Sequence, residues 1–268
     1  MPAEIHPTAI IAPSAEIADS AQIGPCAVIE DNVSIGEGTV VDAFASIKRY
    51  TKIGKNNHIH SYACVGGEPQ DLKFHGEESW LEIGDNNTIR EFATLSRGTE
   101  GGGGLTKVGS NNLLMAYTHV AHDCMVGNSI VMSNGATLAG HVHLADGVIL
   151  GGLSAVHQFC RIGKNAFLGA MSGIAQDLPP YMLCVGNRDG GVHGPNLVGL
   201  RRLKAGNEVI AALKQAFRLI WLDGIPRQEA LEQLENKFSD IAEVIELVNF
   251  IRSSERGIMP AARLDDPA

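Results

Sequence analysis

The chain has 268 residues, a formal net charge of −9, 44% hydrophobic residues, 5% aromatics and 31 glycines. That acidity argues against nucleic acid as a partner, and five scattered cysteines give neither a disulfide framework nor a Cys-x-x-Cys metal spacing. No apolar run reaches the roughly 18 residues of a membrane-spanning helix, and Met1-Pro2-Ala3-Glu4-Ile5 carries no basic or apolar leader, so a cytoplasmic protein is expected.

From Ile5 an aliphatic residue returns at every sixth position. The first run is Ile5, Ile11, Ile17, Ile23, Ile29, Ile35, Val41, Ile47, Ile53, Ile59 and Val65. Ile83, Ile89 and Leu95 form a second, and a third extends from Val108 through Val120, Leu138 and Val156 to Ile174. Six residues of helix turn through about 600°, which moves successive positions to different faces, so no helix buries this period. A strand that turns a corner every six residues does. The expected architecture is a hexapeptide parallel β-helix, a triangular prism of eighteen-residue coils stacked at about 4.8 Å. Sparse aromatics suit its narrow interior. Glycine and asparagine suit its corners, as in Ile53-Gly54-Lys55-Asn56-Asn57 and Ile83-Gly84-Asp85-Asn86-Asn87.

The prism is expected over residues 1–190, with projecting loops near 66–82 and 96–107. The first interruption, with Pro69, Lys73, Phe74, His75 and Trp80, is too polar to continue the coil. The second contains Gly101-Gly102-Gly103-Gly104 without a following Lys-Ser/Thr pair, so it reads as a flexible arm rather than a phosphate loop. The period stops at Asp177-Leu178-Pro179-Pro180-Tyr181, since two prolines cannot continue a paired strand. Residues 191–268 form a helical domain: Val209, Leu213, Ala216 and Ile220, then Ile241, Val244, Ile245, Val248 and Ile251, recur every three or four places. Within it, Asn196 to Arg227 carries six basic and two acidic groups, a local +4 that would suit an anionic ligand or acidic partner.

A coil of eighteen residues makes neighbours of positions eighteen apart. Behind the column Val120, Leu138 and Val156 come His122, Gly140 and Gln158, then Asp123, His141 and Phe159. One edge therefore gathers His122, Asp123, Gly140, His141, His157 and Gln158, with His119 just before it. His122 beside Asp123 offers a base with a carboxylate to orient it. Gly140 lets a carbonyl approach a backbone N–H, as an oxyanion donor must. The simplest chemistry is direct attack of a deprotonated substrate hydroxyl on a thioester. The rival is zinc held by edge histidines, although His119-x-x-His122 lacks the helical zinc pattern.

His119-Val120-Ala121-His122-Asp123-Cys124, Ala136-Thr137-Leu138-Ala139-Gly140-His141 and Ala155-Val156-His157-Gln158-Phe159-Cys160 resemble the UDP-N-acetylglucosamine 3-O-acyltransferases of lipid A biosynthesis. Gln70-Asp71-Leu72-Lys73, Arg97-Gly98-Thr99 and Gln176-Asp177-Leu178-Pro179-Pro180-Tyr181 match too, so the likeness covers nearly the whole chain. It implies a mainly β, left-handed parallel β-helix followed by a small α-helical domain, assembled as a homotrimer with sites between subunits. It implies no cofactor and no metal. The substrates would be UDP-N-acetylglucosamine and acylated acyl carrier protein, the acidic carrier meeting the +4 segment. His122 would be the base, Asp123 its orienter and Gly140 the oxyanion donor. Gln70, Asp71, Lys73, His119, His141, His157, Gln158, Asn196 and Arg202 would contact substrate, and Ala170 would limit acyl-chain length. Val198 and Leu203 stand where relatives often carry a glutamate and a second arginine, and Lys204 is the nearby cation. The N-acyltransferase of the next acylation is the second reading, but it usually bears an extra amino-terminal domain. A carbonic-anhydrase-type zinc hydratase is the third.

Overall fold

The computed structural model describes residues 3–186 and 190–262. Met1-Pro2 and the end of the expected helical domain lie outside those residues.

Each six-residue unit folds as a short strand, of two residues in most coils, whose last residue points inward, then a corner. The strands stack into three sheets, the faces of a prism. Face one runs from Glu4–Ile5 to Met182–Val185, face two from Ile10–Ile11 to Gly173–Ile174, and face three from Glu16–Ile17 to Arg161–Ile162. Pairing is parallel and eighteen residues apart, as in Gln22↔Val40 and Val28↔Ser46. The aliphatic positions are the core: Ile29, Val41, Ile47, Ile59 and Val65 are all no more than 1% exposed.

Three places beyond the inward residue the backbone turns left-handed. Asn32, Asn56, Asn86, Asn111 and Asn165 do this with φ between 52° and 61°. Asparagine tolerates that region because its short amide bonds locally. Asp123, His141 and Phe159 occupy the same corner position at φ 60°, 61° and 64°.

The two interruptions are insertions. Pairing across the first is offset by thirty residues (His58↔Thr88) and across the second by twenty-five (Thr88↔Leu113), so twelve and seven residues project from the prism. Both leave face two, after Cys64–Gly67 and after Thr94–Ser96. The glycine segment read as a flexible arm is tied down: the Thr99 N–H and hydroxyl both donate to Asp123, at 2.8 and 2.7 Å.

At the double proline the six-residue period slips while the parallel pairing continues. Leu178 bridges to Ile162 in parallel, Pro180 falls in the corner, and Tyr181 takes the left-handed φ of 64°. Proline fits there because a corner needs no ladder N–H. Met182–Val185 then pairs with Phe167–Leu168 and turns back antiparallel through Gly191–Pro195. Helices α1 (Leu197–Arg202), α2 (Asn207–Phe217), α3 (Arg227–Lys237) and α4 (Ala242–Arg252) follow, with a π-helical turn extending α2 through Arg218–Leu222. Buried Asp177 joins them to the prism, accepting from the Arg161 backbone and guanidinium and from the Ser254 hydroxyl. Among the described residues, no helix is long and apolar enough to cross a membrane.

An asparagine ladder crosses both insertions. Buried Asn57 accepts from the Asn87 N–H, Asn87 from the Asn112 N–H, and Asn112 from the Ile130 N–H, at 2.7–2.9 Å. Their side-chain amides donate to the Gly84, Gly109 and Gly127 carbonyls. Asn87→Leu strands two buried polar groups, the Gly109 carbonyl and the Asn112 N–H, at about 1–3 kcal/mol each, so a loss of about 2–6 kcal/mol is expected in urea unfolding. A loss below about 1 kcal/mol would show that the ladder is not holding the coils in register.

Candidate active site

The edge after face two is built by strands His119–Val120, Thr137–Leu138 and Ala155–Val156, paired in that order. Their corners stack Asp123, His141 and Phe159: the His141 N–H donates to the His122 carbonyl at 3.0 Å and the Phe159 N–H to the Gly140 carbonyl at 3.1 Å. The rings of His141 and Phe159 lie face to face at 4.4 Å, while those of His122 and His141 are perpendicular at 5.1 Å.

Asp123 is the centre of this edge, with its side chain 1% exposed. Its carboxylate accepts from His122 Nδ1 at 2.7 Å as well as from both Thr99 groups. Its own N–H donates to Thr106 Oγ1 at 2.7 Å, so the corner is fixed on both sides. With Nδ1–H bound to the carboxylate, His122 keeps Nε2 as the basic nitrogen. That nitrogen lies over Gly140, where a Cβ would fall 2.7 Å from Nε2 and 2.5 Å from Cε1. The Gly140 N–H finds no acceptor among the described residues, which leaves it free as a donor.

Neighbouring groups are tuned by burial. It lowers His119, whose Nδ1 is 2.7 Å from the Thr94 hydroxyl, and the nearby His122 lowers it further. It also lowers His141, against the pull of Asp123. Cys124 is no nucleophile: burial pushes its thiol up to about 12, and it donates to the Ala139 carbonyl.

Asp71 and Lys73 from the first insertion, Thr99 and Glu100 from the second, and His141 and Phe159 from the edge line one cleft of about 570 Å³. A larger cleft of about 910 Å³ lies on face three against α4, away from this edge. His157 is exposed, with Nδ1 3.4 Å from the Arg256 guanidinium, and Gln158 beside it is exposed too. Gln70 is exposed on the loop but does not line the cleft. Asn196 and Arg202 have no contact with this edge in one chain. Asn196 caps α1 and donates to the Asn165 carbonyl on the edge after face three, and Arg202 is exposed at the end of that helix. Ala170 belongs to the edge after face one, beside exposed Met171.

Three contributors escaped the eighteen-residue alignment. Thr99 and Thr106 hold Asp123, and Gly102 lets the second insertion close over it, since any Cβ there would collide with the carboxylate. Phe159 was placed in the column without a role.

The residues 177–259 match the family model described as Udp N-acetylglucosamine O-acyltransferase, Domain 2. The acyl-[acyl-carrier-protein]--UDP-N-acetylglucosamine O-acyltransferase of Xylella fastidiosa is 49% identical over 95% of this chain and 97% of its own length. That of Aliarcobacter butzleri is 50% identical over 77% and 78%. Among solved structures, the UDP-N-acetylglucosamine acyltransferase of Francisella novicida has a TM-score of 0.93 at 38% identity, covering 98% of this chain and 100% of that one. LpxA of Acinetobacter baumannii has a TM-score of 0.93 at 44% identity, covering 95% and 99%. The fold is a left-handed parallel β-helix with a small helical carboxyl-terminal region, an exception to the right-handed rule for parallel crossovers. The chain belongs to the UDP-N-acetylglucosamine O-acyltransferase family.

Proposed function

We propose that the chain transfers an (R)-3-hydroxyacyl group from acyl carrier protein to the 3-hydroxyl of UDP-N-acetylglucosamine, the opening step of lipid A biosynthesis, in the cytoplasm. The observation that carries this reading is His122, held through Nδ1 at 2.7 Å by a buried carboxylate with Nε2 left to receive a proton. Nε2 takes the hydroxyl proton as the oxygen attacks the thioester carbonyl. The Gly140 N–H receives the oxyanion of the tetrahedral intermediate. Collapse breaks the C–S bond, and the imidazolium returns its proton to the departing thiolate. Asp123 holds the ring in the orientation that this transfer needs. Lys73, a compact cation on the loop, suits the diphosphate, and His119, His141 and His157 suit the sugar hydroxyls. Arg201, Arg202 and Lys204 are exposed, where an acidic carrier could dock.

The carboxylate also argues against zinc. His122, Asp123 and His141 bring ligand atoms within 4.8 Å of one another. Asp123, however, already accepts from three donors, which orient it toward the imidazole rather than a cation.

A path for the acyl chain climbs face two. Above His119 the outward positions are Thr137, Ala155 and Gly173, all small, and a Cβ on Gly173 would meet nothing within 4 Å. It leads toward the edge where Ala170 stands. Assembly as a homotrimer completes this reading. Phe44, Tyr62, Phe92 and Tyr117 stack along that edge at 5.0–5.2 Å, roughly half exposed, and Leu153 and Met171 continue the stripe at 68% exposure. A second copy would cover this apolar line and bring its own Asn196 and Arg202 toward the His122 cleft.

His122→Ala is expected to lower kcat by at least about a thousandfold with Tm unchanged, as loss of a general base does. Retention of most turnover on UDP-N-acetylglucosamine and acylated carrier would remove the mechanism, and loss of wild-type activity to a chelator would favour the zinc reading. Thr99→Val removes one hydroxyl bond to a buried carboxylate, worth about 1.5–3 kcal/mol, so kcat should fall by about 10–100-fold. An unaltered rate would mean that His122 is positioned without the loop. Ala170→Met should shift products toward shorter acyl chains; mass spectrometry of products from mixed acylated carriers reads the profile, and an unchanged one would separate Ala170 from the acyl path.

A further inference from the structure

Where face one meets the edge that carries Phe44 and Tyr62, Asp42, His58 and His60 converge. Asp42 Oδ2 lies 3.0 Å from His58 Nε2 and 3.3 Å from His60 Nδ1, and all three ligand atoms fall within 4.8 Å of one another. Coil stacking makes the cluster: Asp42 and His60 each follow the inward residue of adjacent coils, Val41 and Ile59, while His58 precedes Ile59. We propose that these three residues form a binding site for a divalent transition-metal ion of the zinc type.

The spacing fits such an ion. Tetrahedral zinc with bonds of about 2.0–2.1 Å sets its ligand atoms about 3.3 Å apart, close to the two separations found here. The ligand chemistry fits as well, since two imidazoles and one carboxylate bind borderline divalent metals. Glu91 Oε1 lies 3.9 Å from His60 Nδ1 and accepts from Arg90 Nη2 at 3.1 Å, so it would exchange that bond to serve as a fourth ligand. Arg90 holds Glu91 at 2.8 Å, fixing that carboxylate beside the cluster. The imidazoles stack at 3.9 Å with 22° between planes, so small ring rotations bring both nitrogens onto one ion.

Contrast with the His122 edge separates the two clusters. There the carboxylate is saturated by a backbone N–H, a hydroxyl and an imidazole. Asp42 receives no backbone or hydroxyl donor among the described residues; its side chain meets only the two histidines. Bound there, the ion would clamp adjacent coils.

The test uses the full-length protein, stripped with a chelator and titrated with Zn2+ by calorimetry and with Co2+ by visible absorption. One ion per chain should bind at micromolar affinity or tighter, with tetrahedral cobalt bands and a raised Tm. His122→Ala should retain that ion. The double variant His58→Gln, His60→Gln should bind at least tenfold more weakly, while keeping its metal-free Tm and its acyl transfer. The proposal is overturned if the wild type takes up no ion at that affinity, if the double variant keeps it, or if His122→Ala loses it. Asp42→Asn supplies a second, milder variant should the double one unfold. None of these outcomes bears on His122 as a base.

Discussion

Everything in this molecule depends on one register: parallel pairing that sets each residue beside the one eighteen places on. Because hydrogen bonds stack the coils at about 4.8 Å, side chains far apart in sequence become neighbours without any long-range packing of separate elements. His119, Thr137, Ala155 and Gly173 form one outward column in this way, and Asp123, His141 and Phe159 form one corner. The same ladder forbids adjustment. A corner residue with φ near 60° cannot shift by one place without moving an aliphatic knob out of the core.

A uniform prism would offer only shallow edges, and the two insertions change that. Both leave face two just below the His122 coil, so they project over the same edge. One delivers Asp71 and Lys73, the other Thr99 and Glu100, and the cleft lies between them and the stacked His141 and Phe159. The two insertions are tied together by Arg97, which is 2% exposed, bonds Glu68 at 3.3 Å and lies 5.2 Å from the Phe74 ring. Projection gives enclosure; the coils give position.

What could be read from the sequence follows the same division. Where the offset is eighteen, arithmetic names the neighbours, so the column at Val120, Leu138 and Val156 was legible, and with it His122, Gly140 and His141. Across the second insertion the offset becomes twenty-five, and no repeat indicates that Thr99 meets Asp123. Gly102 was hidden for the same reason, since its need for a missing Cβ arises from a contact rather than a turn. At the double proline the six-residue period stops as its residue types indicate, because the pairing offset falls from eighteen to sixteen there, as in Ile162↔Leu178 and Phe167↔Leu183. Ala170 lies forty-eight residues beyond His122, a multiple of six but not of eighteen, which places it on another edge. That distinction was present in the period.

Charge explains why so many histidines can share one edge. Three imidazolium ions there would repel one another, and His122 does depress both His119 and His141. Burial acts in the same direction on each, and it is the largest cause favouring the neutral form of these two rings. The fixed negative charge of Asp123 lies 2.7 Å from His122 Nδ1 but 3.6 Å from His141 Nε2. Asp123 therefore engages the His122 ring more closely than the His141 ring. Permanent positive charge is supplied instead by Lys73, on the projecting loop. Under the proposed mechanism, the cation that would meet the nucleotide stands on the loop and the base on the edge, so the two roles fall on separate parts of the chain.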